Sequence, residues 1–198
     1  MLPEIPTRFE TERLILRRYQ AGDGAWYYQV GQRNRQHLQR FESGNVILTI
    51  QNEEDGEKVI KELAADWDAR HSFFLGAFEK STGQFAAQIY IGPVNWLLPE
   101  FEIGYFADKD HEGRGYVTEA VRASLAFIFH HLKAHRVCLH CSDLNERSWR
   151  VAERCGFVRE GYLRETQQQP DGTFSGEFSY GLLKSEFEAW QAASGSGR

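Results

Sequence analysis

Residues 100–142 read EFEIGYFADKDHEGRGYVTEAVRASLAFIFHHLKAHRVCLHCS. The stretch opens with a two-residue alternation, passes a glycine-rich corner, and turns into a helical pattern. Over Gly115–Leu132, Val117, Val121, Leu125, Ile128 and Leu132 share one face. It closes on a second strand-like run, HRVCLHCS. A strand, a helix and a strand in this order fit a right-handed strand–helix–strand unit within a mainly antiparallel sheet. The corner itself is Glu112-Gly113-Arg114-Gly115-Tyr116-Val117-Thr118. It reads either as a tight turn or as an anion site, since glycines let backbone N–H groups close on a phosphate at a helix start.

The other segments set this unit in a mixed α+β order. ERLILRRY (12–19) alternates Leu14 and Leu16 with charges and predicts a strand, and Asp23 is placed to cap the helix that carries Trp26, Tyr27 and Val30. A further helix is predicted over 34–41. The strongest amphipathic helix of this half spans 53–70, with Val59, Ile60, Leu63, Ala64 and Trp67 on one side. SFFLGAFE and QFAAQIYIGPV flank a Ser-Thr-Gly turn and predict a hairpin, after which 93–99 breaks the pattern. Beyond the crossover come a helix over Asn145–Cys155 stopped by Gly156, and two strands around Pro170-Asp171-Gly172. A short helix is predicted over Ser185–Trp190, with Ser185 and Glu188 at capping-box spacing. The expectation is a single domain over 1–198, with a core of about 8–190 and a linker-like, disordered tail over 191–198.

Composition narrows the function classes. The net charge of −5 argues against non-specific nucleic-acid binding, which draws on positive surface. No run approaches the ~20 apolar residues that span a bilayer, and the charged N-terminus lacks an apolar secretory core, so a cytoplasmic protein without membrane attachment is expected. Cys138, Cys141 and Cys155 do not make a secreted disulfide framework. Cys138 and Cys141 lie three apart in a strand-like run and so face opposite sides of a sheet, which argues against a shared metal.

FEIGYFADKDHEGRGYVTEA, followed by NERSWRVAERCGFVREGYL, resembles the Gcn5-related N-acetyltransferases (GNAT), in the branch of the RimJ and RimL ribosomal-protein acetyltransferases. TERLILRRY and NRQHLQRFE also match that branch, and the resemblance covers about residues 8–184. It implies a twisted, mainly antiparallel sheet of about seven strands, flanked by helices, with a splayed central parallel pair at 100–108 and 135–142. It further implies acetyl-coenzyme A as cosubstrate, no metal, and an amine acceptor attacked directly in a ternary complex. The leading acceptor is a protein N-terminus such as that of a ribosomal protein. A small amine (antibiotic, amino acid or polyamine) is the alternative enzyme reading, and a non-catalytic acyl-coenzyme A module the alternative of another class. Homodimer formation is left open.

The same resemblance assigns roles to positions. The amides of Gly113, Arg114, Gly115, Tyr116 and Val117 would hold the pyrophosphate, although Glu112 and Val117 depart from the family pattern. The backbone of Tyr105, Phe106 and Ala107 would pair with the pantetheine arm and polarise the thioester carbonyl. Asn145 would cap its helix and contact the cofactor. The tyrosine many relatives use as thiolate donor is replaced by Ala152, whereas Ser148, three residues after Asn145, matches the RimL-like donor. Gln167 stands where the RimL-like glutamate aligns, with Glu165 two residues away. Glu102 is therefore the first candidate base, followed by Glu177 and His140, with a water chain as the alternative. Trp26, Tyr27, Phe41, Trp67 and Trp96 are candidates for an acceptor groove or for core, and Glu119 is read as a helix-surface residue.

Overall fold

The crossover anticipated from the sequence is present. In the computed structural model, which describes residues 4–195, β5 (Glu100–Ala107) leads through the glycine corner into α3 (Tyr116–His130) and then β6 (Arg136–Ser142). Before it lie β1 (Arg8–Glu10), β2 (Leu14–Arg18), α1 (Gly24–Phe41), α2 (Glu53–Ala69), β3 (Phe73–Glu79) and β4 (Phe85–Asn95). After it come α4 (Glu146–Arg154), β7 (Val158–Gln168), β8 (Phe174–Leu183) and α5 (Lys184–Gly195). The sheet is mixed and mostly antiparallel, with strand order β1-β2-β3-β4-β5-β6-β8-β7. Only β5 and β6 form a parallel pair among the pairings described, and their ladder joins Glu100–Glu102 to Arg136–Cys138. β5 continues to Ala107 and β6 to Ser142. The resemblance implies a central parallel pair of these two strands, and the ladder between them is parallel.

Among the described residues there are eight strands rather than about seven. The addition is β1, three residues that pair with β2 through Phe9 opposite Leu16 and are too few to show an alternation. Further expectations change. Residues 24–41 form one helix, not two, because Gly31 packs inside it against Ile47 instead of breaking it. Asp23 does not cap that helix with its side chain; its carboxylate accepts from Arg17, Trp26 Nε1 and the Gln20 N–H. β4 runs through Pro93 to Asn95. At the C-terminus, Glu186 rather than Glu188 reaches back, accepting the Leu183 N–H at 2.9 Å, and α5 takes in residues 191–195 of the expected tail. Residues 196–198 of that tail lie outside the described residues.

The chain divides into two compact units: Met1–Gly92 with Tyr105–Ala123, and Pro93–Gly104 with Ser124–Arg198. In the first unit, Tyr27, Val30 and Leu38 on one side of α1 join Ile60 and Leu63 of α2, with Tyr19, Ile47, Ile50, Phe85 and Phe106. Burying each such side chain contributes about 1.5–3 kcal/mol. The two helices cross with backbones almost touching, because Gly24 and Gly56 meet there; a Cβ on either would collide with main-chain atoms of Glu57 or Gly24. Tyr19 and Tyr27 satisfy their buried hydroxyls on one acceptor, Gln88 Oε1, each at 2.8 Å.

In the second unit, β6 has two distinct faces. Val137, Leu139 and Cys141 point to one side; Cys138 and His140 point to the other. α4 is capped by Asn145 and by Cys155, and Gly156 follows with a φ of +89° that suits a glycine.

Candidate active site

The glycine corner belongs to the first unit. Gly113 and Gly115 hold φ values of +74° and +79°, in the left-handed region that other residues avoid. This conformation turns the chain so that Gly113, Arg114 and Gly115 are exposed while Tyr116 is buried at the start of α3. The first intrahelical bond is Glu119 N–H to Gly115 C=O at 3.1 Å. The N–H groups of Gly113, Arg114, Gly115, Tyr116 and Val117 have no acceptor among the described residues. Five free donors at the positive end of a 15-residue helix are suited to an anion. A Cβ at Gly113 would meet nothing within 4 Å, so the approach is open.

This corner is braced from β1–β2. Glu119 is no plain surface residue: its Oε1 accepts from Thr11 Oγ1 at 2.5 Å and from the Arg13 N–H at 2.9 Å, and its Oε2 from Arg13 Nε at 2.6 Å. Burial raises the Glu119 carboxyl's pKa, but these hydrogen bonds and the nearby guanidinium outweigh it and hold the group below the usual range. Arg13 Nη1 also donates to the Arg114 carbonyl at 3.0 Å, and its guanidinium lies 4.7 Å from the Tyr116 ring centroid. The Tyr116 hydroxyl donates to Glu79. Sequence reasoning missed Arg13, Thr11 and Glu79. A carboxylate one turn into α3 was the available signal, since it complements the helix start.

Just upstream, Asp108 anchors the exit from β5. It is 1% exposed and accepts from Arg33 Nε at 2.6 Å and Asn34 Nδ2 at 2.8 Å, with His111 Nδ1 3.0 Å away. Tyr105, Phe106 and Ala107 precede it, Phe106 buried and its two neighbours half-buried.

In the second unit the remaining candidates fall on opposite faces. Asn145 caps α4, its Oδ1 accepting the Ser148 N–H at 3.2 Å. The Ser148 side chain bonds to the thiol of Cys141; burial pushes that thiol up to about 11, with the Ser148 contact opposing. Glu102 lies on the other side, paired in register with Cys138. Burial, with Glu100 and Glu102 close by, likewise pushes the Cys138 thiol up to about 11. Register places His140 opposite Ser179 and Ser142 opposite Glu177, so His140 and Glu177 share the Glu102 face. His140 Nδ1 lies 3.6 Å from Glu177 Oε1. The three base candidates thus share a face, and Ser148 stands on the opposite one. Gln167 sits on β7 beside a register irregularity, with Glu165 at a φ of +53°. Trp67 and Tyr27 are core, whereas Trp96 is 50% exposed.

The mixed, mostly antiparallel sheet with its β5–α3–β6 crossover is the GNAT fold, that of a class of acetyltransferases. The acetyltransferase (GNAT) domain family matches residues 13–158, and the chain belongs to this family of N-acetyltransferases. The probable N-acetyltransferase YjcK of Bacillus subtilis (strain 168) is 48% identical over 113 residues, 57% of this chain; the match spans 62% of YjcK, less than two thirds of its length. The putative ribosomal N-acetyltransferase YdaF of the same organism is 28% identical over 155 residues, covering 77% of this chain and 83% of YdaF. Mycobacterium smegmatis RimJ in complex with CoA-disulfide has the same fold: TM-score 0.77, 21% identity, 91% of this chain and 89% of that one. Among the described residues, no helix is long and apolar enough to cross a membrane, and no group of three or more His, Cys, Asp or Glu is placed to hold a metal ion.

Proposed function

We propose that the protein transfers an acetyl group from acetyl-coenzyme A to a primary amine, with a protein N-terminal amine as the leading acceptor. The observation that carries this reading is the set of five unpartnered amides from Gly113 to Val117. They offer a diphosphate fixed donors that need no reorganisation. The positive φ of Gly113 and Gly115 sets them in place. Glu112 contributes nothing to this set, because the donors are main-chain groups.

The backbone of Tyr105–Ala107 holds the pantetheine arm and polarises the thioester carbonyl. Glu102 accepts the proton of the acceptor amine, whose lone pair then attacks the carbonyl carbon. As the carbon–sulfur bond breaks, the Ser148 hydroxyl donates a hydrogen bond to the thiolate. Asn145 fixes Ser148 by capping α4. Direct attack needs the amine held within about 3–3.5 Å of the thioester carbon. YdaF, named as a ribosomal N-acetyltransferase, supports the choice of a protein amine.

An assay of thiol release with acetyl-coenzyme A tests the reading against a panel of N-terminal peptides and small amines. Turnover with peptides is expected. Turnover confined to small amines would replace the acceptor class, and binding of coenzyme A without turnover on any amine would overturn the enzymatic reading.

A further inference from the structure

We propose that Arg13 is a ligand of the coenzyme A diphosphate, in addition to bracing the loop that receives it. The proposal rests on the reading above and assigns that site a side chain from outside the glycine corner. Two of the three guanidinium nitrogens of Arg13 are committed: Nε to Glu119 at 2.6 Å, and Nη1 to the Arg114 carbonyl at 3.0 Å. Nη2 has no acceptor among the described residues, and it lies 3.5 Å from where a Cβ on Gly115 would sit. The free end of the fork is therefore held against the middle of the five-amide set. Its side chain is 43% exposed, so an incoming phosphate can reach it.

The bonds that consume Nε and Nη1 also restrict the side chain to one orientation. A flexible surface arginine would lose rotamer freedom on gripping a ligand; this one has already lost it. The planar fork allows a single residue to fix the loop through one edge and bind an oxyanion through the other, which an ammonium on a flexible stem does less well. Glu119 is then the positioning residue for Arg13.

The test compares the affinities of coenzyme A and pantetheine, the latter lacking the diphosphate, for the wild-type protein, Arg13→Gln and Arg13→Lys. A charge-assisted hydrogen bond of this kind is worth about tenfold to a hundredfold in affinity. The expected result is that Arg13→Gln loses about that factor for coenzyme A while pantetheine is unaffected, with Arg13→Lys in between. Glu119→Gln, which loosens the brace but keeps the guanidinium, is the control: a loss for coenzyme A in Arg13→Gln no greater than in Glu119→Gln would reduce Arg13 to a structural brace and overturn the proposal, as would equal losses for both ligands or no loss for either. Should Arg13→Gln not fold, the same ratio read on Arg13→Lys decides. A wild-type protein that does not distinguish the two ligands would overturn the diphosphate loop itself, an outcome separable from failure at Arg13 alone.

Discussion

Asn145 Oδ1 accepts the backbone N–H of Ser148 at 3.2 Å, so the residue that starts α4 also fixes the residue proposed to meet the leaving thiolate. The two substitutions at this pair separate its roles. Ser148→Ala should lower kcat by about tenfold to a hundredfold, the scale of one lost transition-state hydrogen bond, with the KM for acetyl-coenzyme A and the melting temperature nearly unchanged. Asn145→Ala should cost about 1 kcal/mol of stability through the lost cap and lower kcat as well. Steady-state kinetics and thermal melts check both. A Ser148→Ala enzyme with wild-type kcat would remove Ser148 from the chemistry.

Glu102, proposed as the base, shares one face of the sheet with the His140–Glu177 pair. Glu102→Gln should reduce kcat by about a hundredfold or more, within the usual range for a general base. His140→Gln and Glu177→Gln should each have a smaller effect. The reverse ranking in kcat would move the base to the imidazole, with Glu177 orienting it.

Asp108 supplies the clearest pH signature. Burial raises its pKa, but hydrogen bonds from Arg33, Asn34 and His111 outweigh burial and lower it below the ordinary value. A carboxyl with a depressed folded-state pKa contributes stability above its unfolded pKa of about 3.9 and loses that contribution as pH falls through the folded value. Asp108→Asn should therefore destabilise the protein at pH 7 by about 3 kcal/mol, the low end for a broken buried pair because Arg33 remains a third exposed. The gap between wild type and variant in melting temperature should shrink below about pH 4. A gap that widens as pH falls would contradict the hub's electrostatics.

The crossover was legible because its pattern is local. Leu125 and Ile128 fall at helical spacing, Val137 and Leu139 at strand spacing, and the glycines mark the corner between them. What escaped was set by contacts distant in sequence. Glu119 looked like a helix-surface residue because nothing near it in the chain predicts that Thr11 and Arg13 would reach it. Asp108 looked like a strand end because Arg33 and Asn34 lie more than seventy residues away. Asp23 carried a genuine capping signature, but a guanidinium and an indole N–H claimed its carboxylate. The first helix reads as two pieces because the packing of Ile47 against Gly31, between them, is tertiary. On the site itself, the glycine corner was legible in the residues, whereas the roles of its amides, Asn145 and Ser148 came from the family resemblance alone. The division of Ser148 and Glu102 between two faces needed the register.

The central claim is that main-chain donors from Gly113 to Val117 hold the diphosphate. Calorimetric titration of coenzyme A into the wild-type protein and into Gly115→Glu tests it most directly, with a melt of each as the control for folding. The account predicts saturable binding by the wild type and no detectable heat from the folded variant, because a carboxylate would occupy the phosphate position. Equal affinity of the two proteins for coenzyme A would contradict it.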